Sequence, residues 1–149
     1  MQIDVLPCSP DDREFVLRVT EEAMRAYVED AFGSWDADVQ RRHLEESFDP
    51  ATYSLIVIDE VRAGILVVED RRSYLFLAKI FLLLEFQRRG VGTILIRRLI
   101  ERAKMERKPL RLRVLRVNAA ARRLYVRLGF AVTHSTADHE YLEHHSEIL

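Results

Sequence analysis

Residues 74–93 read YLFLAKIFLLLEFQRRGVGT. The first eleven are apolar apart from Lys79, the pattern of a mostly buried strand. At Gly90 the pattern changes. Val91, Leu95 and Leu99, joined by Ile96, Ile100 and Ala103, recur at helical spacing through residue 107, while Arg97, Arg98, Glu101, Arg102 and Lys104 fall on the other side. A strand therefore runs into a helix through a corner that holds two glycines, Gly90 and Gly92. A helix N-terminus presents unpaired backbone N–H groups and the positive end of its dipole, and glycines let a ligand come close to that backbone. The same glycines also suit a tight corner with no ligand. The motif alone leaves both readings open.

Working outward, Pro109 ends the helix and LRLRVL (110–115) alternates like a strand. Strand, helix and strand in succession imply a parallel pair joined by a right-handed crossover. The stretch NAAARRLYVRLGF (118–130) reads as a further helix, with Asn118 as N-cap and Gly129 at the left-handed position past its end. Ala121, Leu124, Tyr125 and Leu128 form its inward stripe. FAVTHS and EYLEHH supply closing strands. Before residue 74, YSLIVID and RAGILVVED are strands whose short connections make an antiparallel meander with 74–84. Further upstream, residues 11–32 and 36–48 read as helices, the first with Phe15, Val16, Val19, Ala23, Ala26 and Tyr27 at helical spacing, the second with Val39, His43 and Leu44 on one face. The order is α-α-β-β-β-α-β-α-β-β. It predicts an α/β (α+β) fold with a mixed central sheet of about six to seven strands and helices on both faces.

Composition fits one domain over 1–149. Hydrophobic residues make up 48% and charged residues 32%, an ordinary globular balance. The net charge of −1 hides an asymmetry: residues 1–70 hold 17 acids and 6 arginines, residues 71–149 hold 17 bases and 7 acids. A basic half suggests an anionic partner, and mutual neutralisation within the fold accounts for it equally well. Cys8 is the only cysteine, so no intrachain disulfide and no cysteine-based metal cluster is expected. There is no apolar span long enough for a bilayer and no signal-peptide pattern at the start, so a cytoplasmic protein without a membrane partner is the expectation. Adjacent histidines near the end point apart on a strand, so no metal is expected.

Two phosphate-binding patterns do not fit. No Gly-x-x-x-x-Gly-Lys-Ser/Thr occurs. A third glycine is missing, and the strand before the motif is antiparallel to its neighbour, which argues against a dinucleotide-binding unit. What the chain does contain is Gln87-Arg88-Arg89-Gly90-Val91-Gly92 at the end of a meander's third strand, and Asn118 followed seven residues later by Tyr125. With this element order, the sequence resembles the GNAT superfamily of N-acetyltransferases. The resemblance covers nearly the whole chain and is sharpest over 80–130.

The resemblance implies acetyl transfer from acetyl-coenzyme A, a co-substrate, to a primary amine by direct attack in a ternary complex. It implies a cofactor cleft where the parallel strands 74–84 and 110–115 splay apart. The pyrophosphate would lie on the backbone of Gln87, Arg88, Arg89, Gly90, Val91, Gly92 and Thr93. The pantetheine arm would run along the main chain of Ile80, Phe81 and Leu82, with a further bond from Asn118 and an oxyanion donor near Leu82. Tyr125 matches the family tyrosine that faces the cofactor sulfur and assists the leaving thiolate. A core tyrosine on a helix stripe is the plainer reading of the same residue. Tyr27, Phe32 and Trp35 fall in the region that lines the family's acceptor site, and filling core space accounts for them equally well. Some relatives carry a glutamate base five residues before the asparagine; here that position is Arg113, which accepts no proton at neutral pH. His43, His134, His139 and Glu140 remain as candidate proton acceptors, with a water chain as the alternative, and Glu85 is expected to face solvent. Arg111 and Arg113 share a strand face; pairing with acids of the N-terminal helices is the expectation, and a pocket for an anionic substrate or phosphate is the alternative.

The resemblance implies a small-molecule or peptide amine as acceptor, and the residues do not say which. Dimerisation is common in the family, and no stretch here demonstrates it. An acyl-coenzyme A sensor without chemistry is the alternative, and the missing glutamate gives it room. A nucleic-acid partner is disfavoured by near-neutral net charge and the lack of interleaved surface aromatics.

Overall fold

Strand and helix boundaries in the computed structural model, which describes residues 1–145, follow the hydrophobic periodicities closely. The elements run β1 (Ile3–Pro7), α1 (Arg13–Phe32), α2 (Ala37–Ser47), β2 (Tyr53–Ile58), β3 (Val61–Asp70), β4 (Leu75–Leu82), α3 (Val91–Met105), β5 (Leu110–Leu115), α4 (Ala119–Arg127), β6 (Ala131–Ser135) and β7 (His139–His144). The seven strands form one mixed sheet in the order β1-β2-β3-β4-β5-β7-β6. The expected architecture of helices with a mixed sheet holds, with the strand count at seven.

The chain divides into two compact units. The first holds residues 1–67 and 79–89. Its sheet begins with an antiparallel pair in which Ile3 faces Ile58 and Pro7 faces Ser54. β1 is not foreseen by the sequence pattern. Only Ile3 of its five residues is buried, and Pro7 ends it, so it lacks a strand's two-residue burial rhythm. Its pairing with β2 defines it instead. β2 and β3 pair antiparallel with a register shift between Ile56 and Val57. Both are buried along most of their length. α1 starts at Arg13, after a short 3-10 turn over Pro10–Asp12. Its buried residues are Phe15, Val16 and Val19 only; Ala23 and Tyr27 are half-buried and Ala26 is exposed. α2 is capped by Asp36, whose side chain accepts from the amides of Asp38 and Val39. Leu44 is its buried residue, and His43, expected on the same face, is exposed.

Gly64 in β3 has a packing role. A Cβ built there would lie 2.1 Å from the Phe81 carbonyl oxygen and 2.9 Å from Leu82 Cδ2. The Leu83 amide donates to the Ala63 carbonyl at 2.8 Å. Backbone meets backbone at Gly64 with no room for a methyl group. Gly64→Ala therefore displaces the end of β4. A core clash of this kind costs about 2–3 kcal/mol, which for a chain of this size lowers Tm by roughly 5–10 °C. A thermal melt checks it, and an unchanged Tm refutes the tight contact.

The second unit holds residues 68–78 and those from 90 onward. β4 and β5 pair in parallel over Leu75–Leu77 and Leu110–Leu112. β5 pairs antiparallel with β7 from Leu110↔His144 to Leu115↔His139, and β6 pairs antiparallel with β7. β5 alternates buried and exposed, with Leu110, Leu112 and Val114 inward and Arg111 and Arg113 outward. α3 buries Val91, Leu95, Ile96, Leu99 and Ala103, as its periodicity predicts. α4 ends in a paired cap: Gly129, at φ 101°, donates to Val126, and Phe130 donates back to Tyr125 at 3.0 Å. The Tyr125 and Phe130 rings meet edge-on at 5.7 Å, closing the apolar contact that accompanies this cap.

Candidate active site

The corner at residues 87–93 has the backbone of an anion cradle. Arg88 adopts φ 62° and Gly90 φ 80°, both left-handed. For an arginine this conformation is strained by about 1 kcal/mol, and local strain of this kind concentrates at functional sites. Alternation of hand along a short stretch turns successive N–H groups toward one point. The first helical bond of α3 runs from the Ile94 amide to the Gly90 carbonyl, so the amides of Val91, Gly92 and Thr93 precede the ladder. Gly90 needs its glycine for its φ. Gly92 does not: it lies in the first helical turn, and a Cβ there would meet nothing within 4 Å. A helical glycine costs about 1 kcal/mol relative to alanine. No contact among the described residues requires a glycine there, and its absence of a side chain leaves the backbone open to close approach. The corner thus fits a phosphate group on its own geometry. Arg88 and Arg89 are exposed beside it, with the Arg89 guanidinium over the Phe86 ring at 5.4 Å.

Gln87 does not reach outward. Its Nε2 donates to the Leu82 carbonyl at 2.9 Å, so it shapes the end of β4. Ile80, Phe81 and Leu82 are half-buried on β4. The Leu84 amide donates to Glu22 Oε1 at 3.0 Å, tying the same segment to α1. Glu85 is exposed, as expected.

Asn118 caps α4 by accepting from the Ala121 amide at 3.1 Å through Oδ1. The cap uses the oxygen and leaves the side-chain NH2 group to donate elsewhere. Seven residues on, Tyr125 is 8% exposed. Burial pushes its phenol up to about 12, so the hydroxyl keeps its proton at any physiological pH. That hydroxyl has no hydrogen-bond partner among the described residues, although no side-chain oxygen or nitrogen there is both sealed from solvent and unpaired. The hydroxyl therefore touches solvent and has its proton free for a ligand.

Arg111 corrects an expectation. It pairs with Glu143 of β7 at 2.5 Å and lies over the Tyr74 ring at 4.3 Å, not with an acid of the N-terminal helices. Cross-strand adjacency wins because β7 places Glu143 directly opposite Arg111. Arg113, opposite Tyr141, is exposed with no ion-pair partner among the described residues. Acids of α1 instead pair with nearby arginines, including Glu14 with Arg41 at 2.7 Å.

Within the first unit, α1 and α2 border a groove of about 840 Å³ whose lining includes Trp35 and Leu84. Five acids against three arginines leave its wall net acidic. Phe32 is 55% exposed and Tyr27 half-buried, and neither lines this groove. Among the described residues, no helix is long and apolar enough to cross a membrane, and no group of three or more His, Cys, Asp or Glu residues is placed to hold a metal.

No curated protein matches the chain at a significant level. Among solved structures, the PaiA N-acetyltransferase of Thermoplasma acidophilum in complex with coenzyme A superposes with a TM-score of 0.78 at 17% identity, covering 98% of this chain and 100% of that one. An acetyltransferase of Thermus thermophilus gives 0.74 at 17% identity, covering 96% of each chain. The ribosomal-protein-S18-alanine N-acetyltransferase of Escherichia coli gives 0.70 at 19% identity, covering 96% of this chain and 93% of that one. These likenesses establish the shared fold. The sequence profile of the Acetyltransferase (GNAT) family matches residues 18–130, most of the chain, and on that match the protein belongs to the GNAT acetyltransferase family.

Proposed function

We propose that the chain works as a single N-acetyltransferase domain, moving the acetyl group of acetyl-coenzyme A to a primary amine by direct attack. Family membership supports acyl transfer in general. The observation that carries the finer reading is Tyr125: a buried, protonated phenol without a protein partner among the described residues. In this reading the amides around Gly90 and Gly92 receive the pyrophosphate, flanked by Arg88 and Arg89. Gln87 holds the β4 end, and the main chain of Ile80, Phe81 and Leu82 takes the pantetheine arm. The Asn118 side-chain NH2 group adds a donor to that arm.

Attack by the neutral amine forms the C–N bond and breaks the C–S bond. One proton leaves the nitrogen, and negative charge leaves on sulfur. Tyr125 meets that charge with its O–H. An ordinary thiol titrates near 8.5, well below a phenol at about 12. The thiol is the stronger acid, so the favoured state is a hydrogen bond to thiolate, not a completed transfer from tyrosine. The thiolate then takes its proton from solvent. No alkaline limb from Tyr125 is therefore expected in the rate up to about pH 10. The acidic groove bordered by α1 and α2 suits a cationic amine, and it is the surface to which the reading assigns the acceptor.

The test combines thermal shift by acetyl-coenzyme A with thiol release across a panel of amines: a diamine, free lysine and an N-terminal alanyl peptide. A raised Tm and release with a primary amine support the enzyme. A raised Tm without release from any amine favours an acyl-coenzyme A-binding module. No shift and no release overturn the cofactor site.

A further inference from the structure

An amine attacking a thioester must lose a proton, and Arg113 stands where a carboxylate base would be. We propose that His139, on β7, is the proton acceptor for the attacking amine, acting directly or through one water. This deepens the acetyltransferase reading and rests on it.

Placement is the first argument. The ladder between β4 and β5 runs only through Leu77 and Leu112, and β5 continues through Arg113, Val114 and Leu115. On its other edge β5 stays paired with β7 to the end, where Leu115 faces His139 and Arg113 faces Tyr141. Cross-strand partners share a sheet face, so His139 and Arg113 project on the same side beside the free end of β5. Tyr125 lies on the opposite side. Its ring touches Phe130, which meets His144, and His144 pairs with Leu110 on the inward face. In this arrangement the amine adds to the thioester carbonyl carbon from the His139 side and gives up its proton there, and the C–S bond then breaks with the leaving thiolate meeting the Tyr125 hydroxyl.

Elimination is the second argument. His134 is exposed on β6, stacked on Tyr141 at 4.2 Å, with its Nδ1 3.2 Å from the Thr133 hydroxyl. Glu140 is held by Arg122 at 2.6 Å. His145 is exposed and paired with Glu143. His43 is exposed on α2. His139 is half-buried, and neither ring nitrogen has a partner among the described residues. Its backbone is fixed instead: the amide donates to Thr136 Oγ1, and the carbonyl accepts from the Thr136 amide at 2.8 Å.

The surrounding charges suit the role. Burial and then the Arg113 guanidinium lower the His139 pKa below its usual value of 6.5, against the weaker opposing pull of Asp138. Tyr141, His134 and the Arg111–Glu143 ion pair also lie on that face, and the Arg116 amide closes the turn by donating to the Asp138 carbonyl. The sign follows directly. A depressed histidine is neutral and ready to accept at pH 7, and it becomes unavailable as pH falls through its lowered pKa. Arg113 is then a positioning residue that keeps the base unprotonated.

The test follows kcat against pH at saturation, with whichever panel amine is turned over. Wild-type protein is expected to show an acid limb below pH 6.5. His139→Gln is expected to lose that limb and to fall on the order of a hundredfold at neutral pH, with acetyl-coenzyme A affinity and Tm unchanged. Added imidazole should restore part of the rate. Arg113→Gln, which leaves the ring in place, should move the limb to higher pH. An acid limb that persists in His139→Gln, or a neutral-pH rate within about twofold of wild type, overturns the assignment while leaving acetyl transfer intact. No turnover by the wild-type protein with any amine overturns both readings.

Discussion

Replacing Tyr125 by phenylalanine is expected to lower kcat by about a hundredfold or more while leaving acetyl-coenzyme A affinity and Tm unchanged. The separation of these effects comes from the hydroxyl's surroundings. The ring carries the packing: it sits against Phe130 at 5.7 Å within the cap that ends α4, and phenylalanine keeps that contact. The hydroxyl makes no hydrogen bond to the described protein, so its removal orphans no partner. Burial has already raised its pKa to about 12, a sign of a poorly solvated oxygen. Deleting an unpaired polar atom from such a place is neutral or mildly stabilising. What is lost is the donor that would meet developing charge on sulfur. Steady-state kinetics, a binding isotherm and a melt decide it together. A variant with wild-type kcat removes Tyr125 from the chemistry, and one with lowered Tm shows that the oxygen serves packing.

The second large effect is expected at Gly90, and it is clearest as a contrast between Gly90→Asp and Gly90→Asn. Both introduce a side chain of the same shape at φ 80°, and Asn and Asp are the non-glycine residues that tolerate this hand. A Cβ at Gly90 meets nothing within 4 Å, so neither clashes with the protein. They differ by one negative charge at the N-terminus of α3. That charge acts with opposite signs on folding and on binding. It complements the helix dipole, so the Asp variant should be equal to or more stable than the Asn variant by about 0.3–1 kcal/mol. It repels a pyrophosphate, at a separation of roughly 7 Å and moderate screening by about 2 kcal/mol, which is about a thirtyfold loss of affinity. Isothermal titration with acetyl-coenzyme A and a thermal melt give the two numbers. Equal affinity in the two variants would place the phosphates away from this corner.

The distribution of legible and illegible features follows from how each is held together. α3 and α4 are readable because their stripes, caps and terminal glycines are local: Asn118 reaches only to Ala121, and Gly129 and Phe130 only to Val126 and Tyr125. β1 is not readable, because its single buried residue and its terminal proline leave the evidence for it on β2. α1 is readable as a helix, yet its periodicity overstates the inward face toward Ala26, since burial along a helix is decided by what lies against it. The partner of Arg111 escapes the sequence for the same reason. Glu143 is 32 residues away in sequence and directly opposite only because β5 and β7 pair in that register. Gly64 carries a weak local signal, a glycine inside a strand pattern. The 2.1 Å approach to the Phe81 carbonyl that explains it exists only in the packed sheet.

Element order, the parallel pair around α3, the glycine corner at 87–93 and the spacing of Asn118 and Tyr125 are all written in the linear chain. They rest on periodicity, capping and turn chemistry, which act within a few residues. Packing alone determines which donors and acceptors remain free once folding has used the rest. It commits the Gln87 side chain to Leu82, the Asn118 oxygen to the α4 cap and Glu140 to Arg122. Among the described residues it leaves the Tyr125 hydroxyl and the His139 ring without partners. Free valence is a property of the packed molecule, because a group is spare only after every neighbour that could satisfy it has been placed.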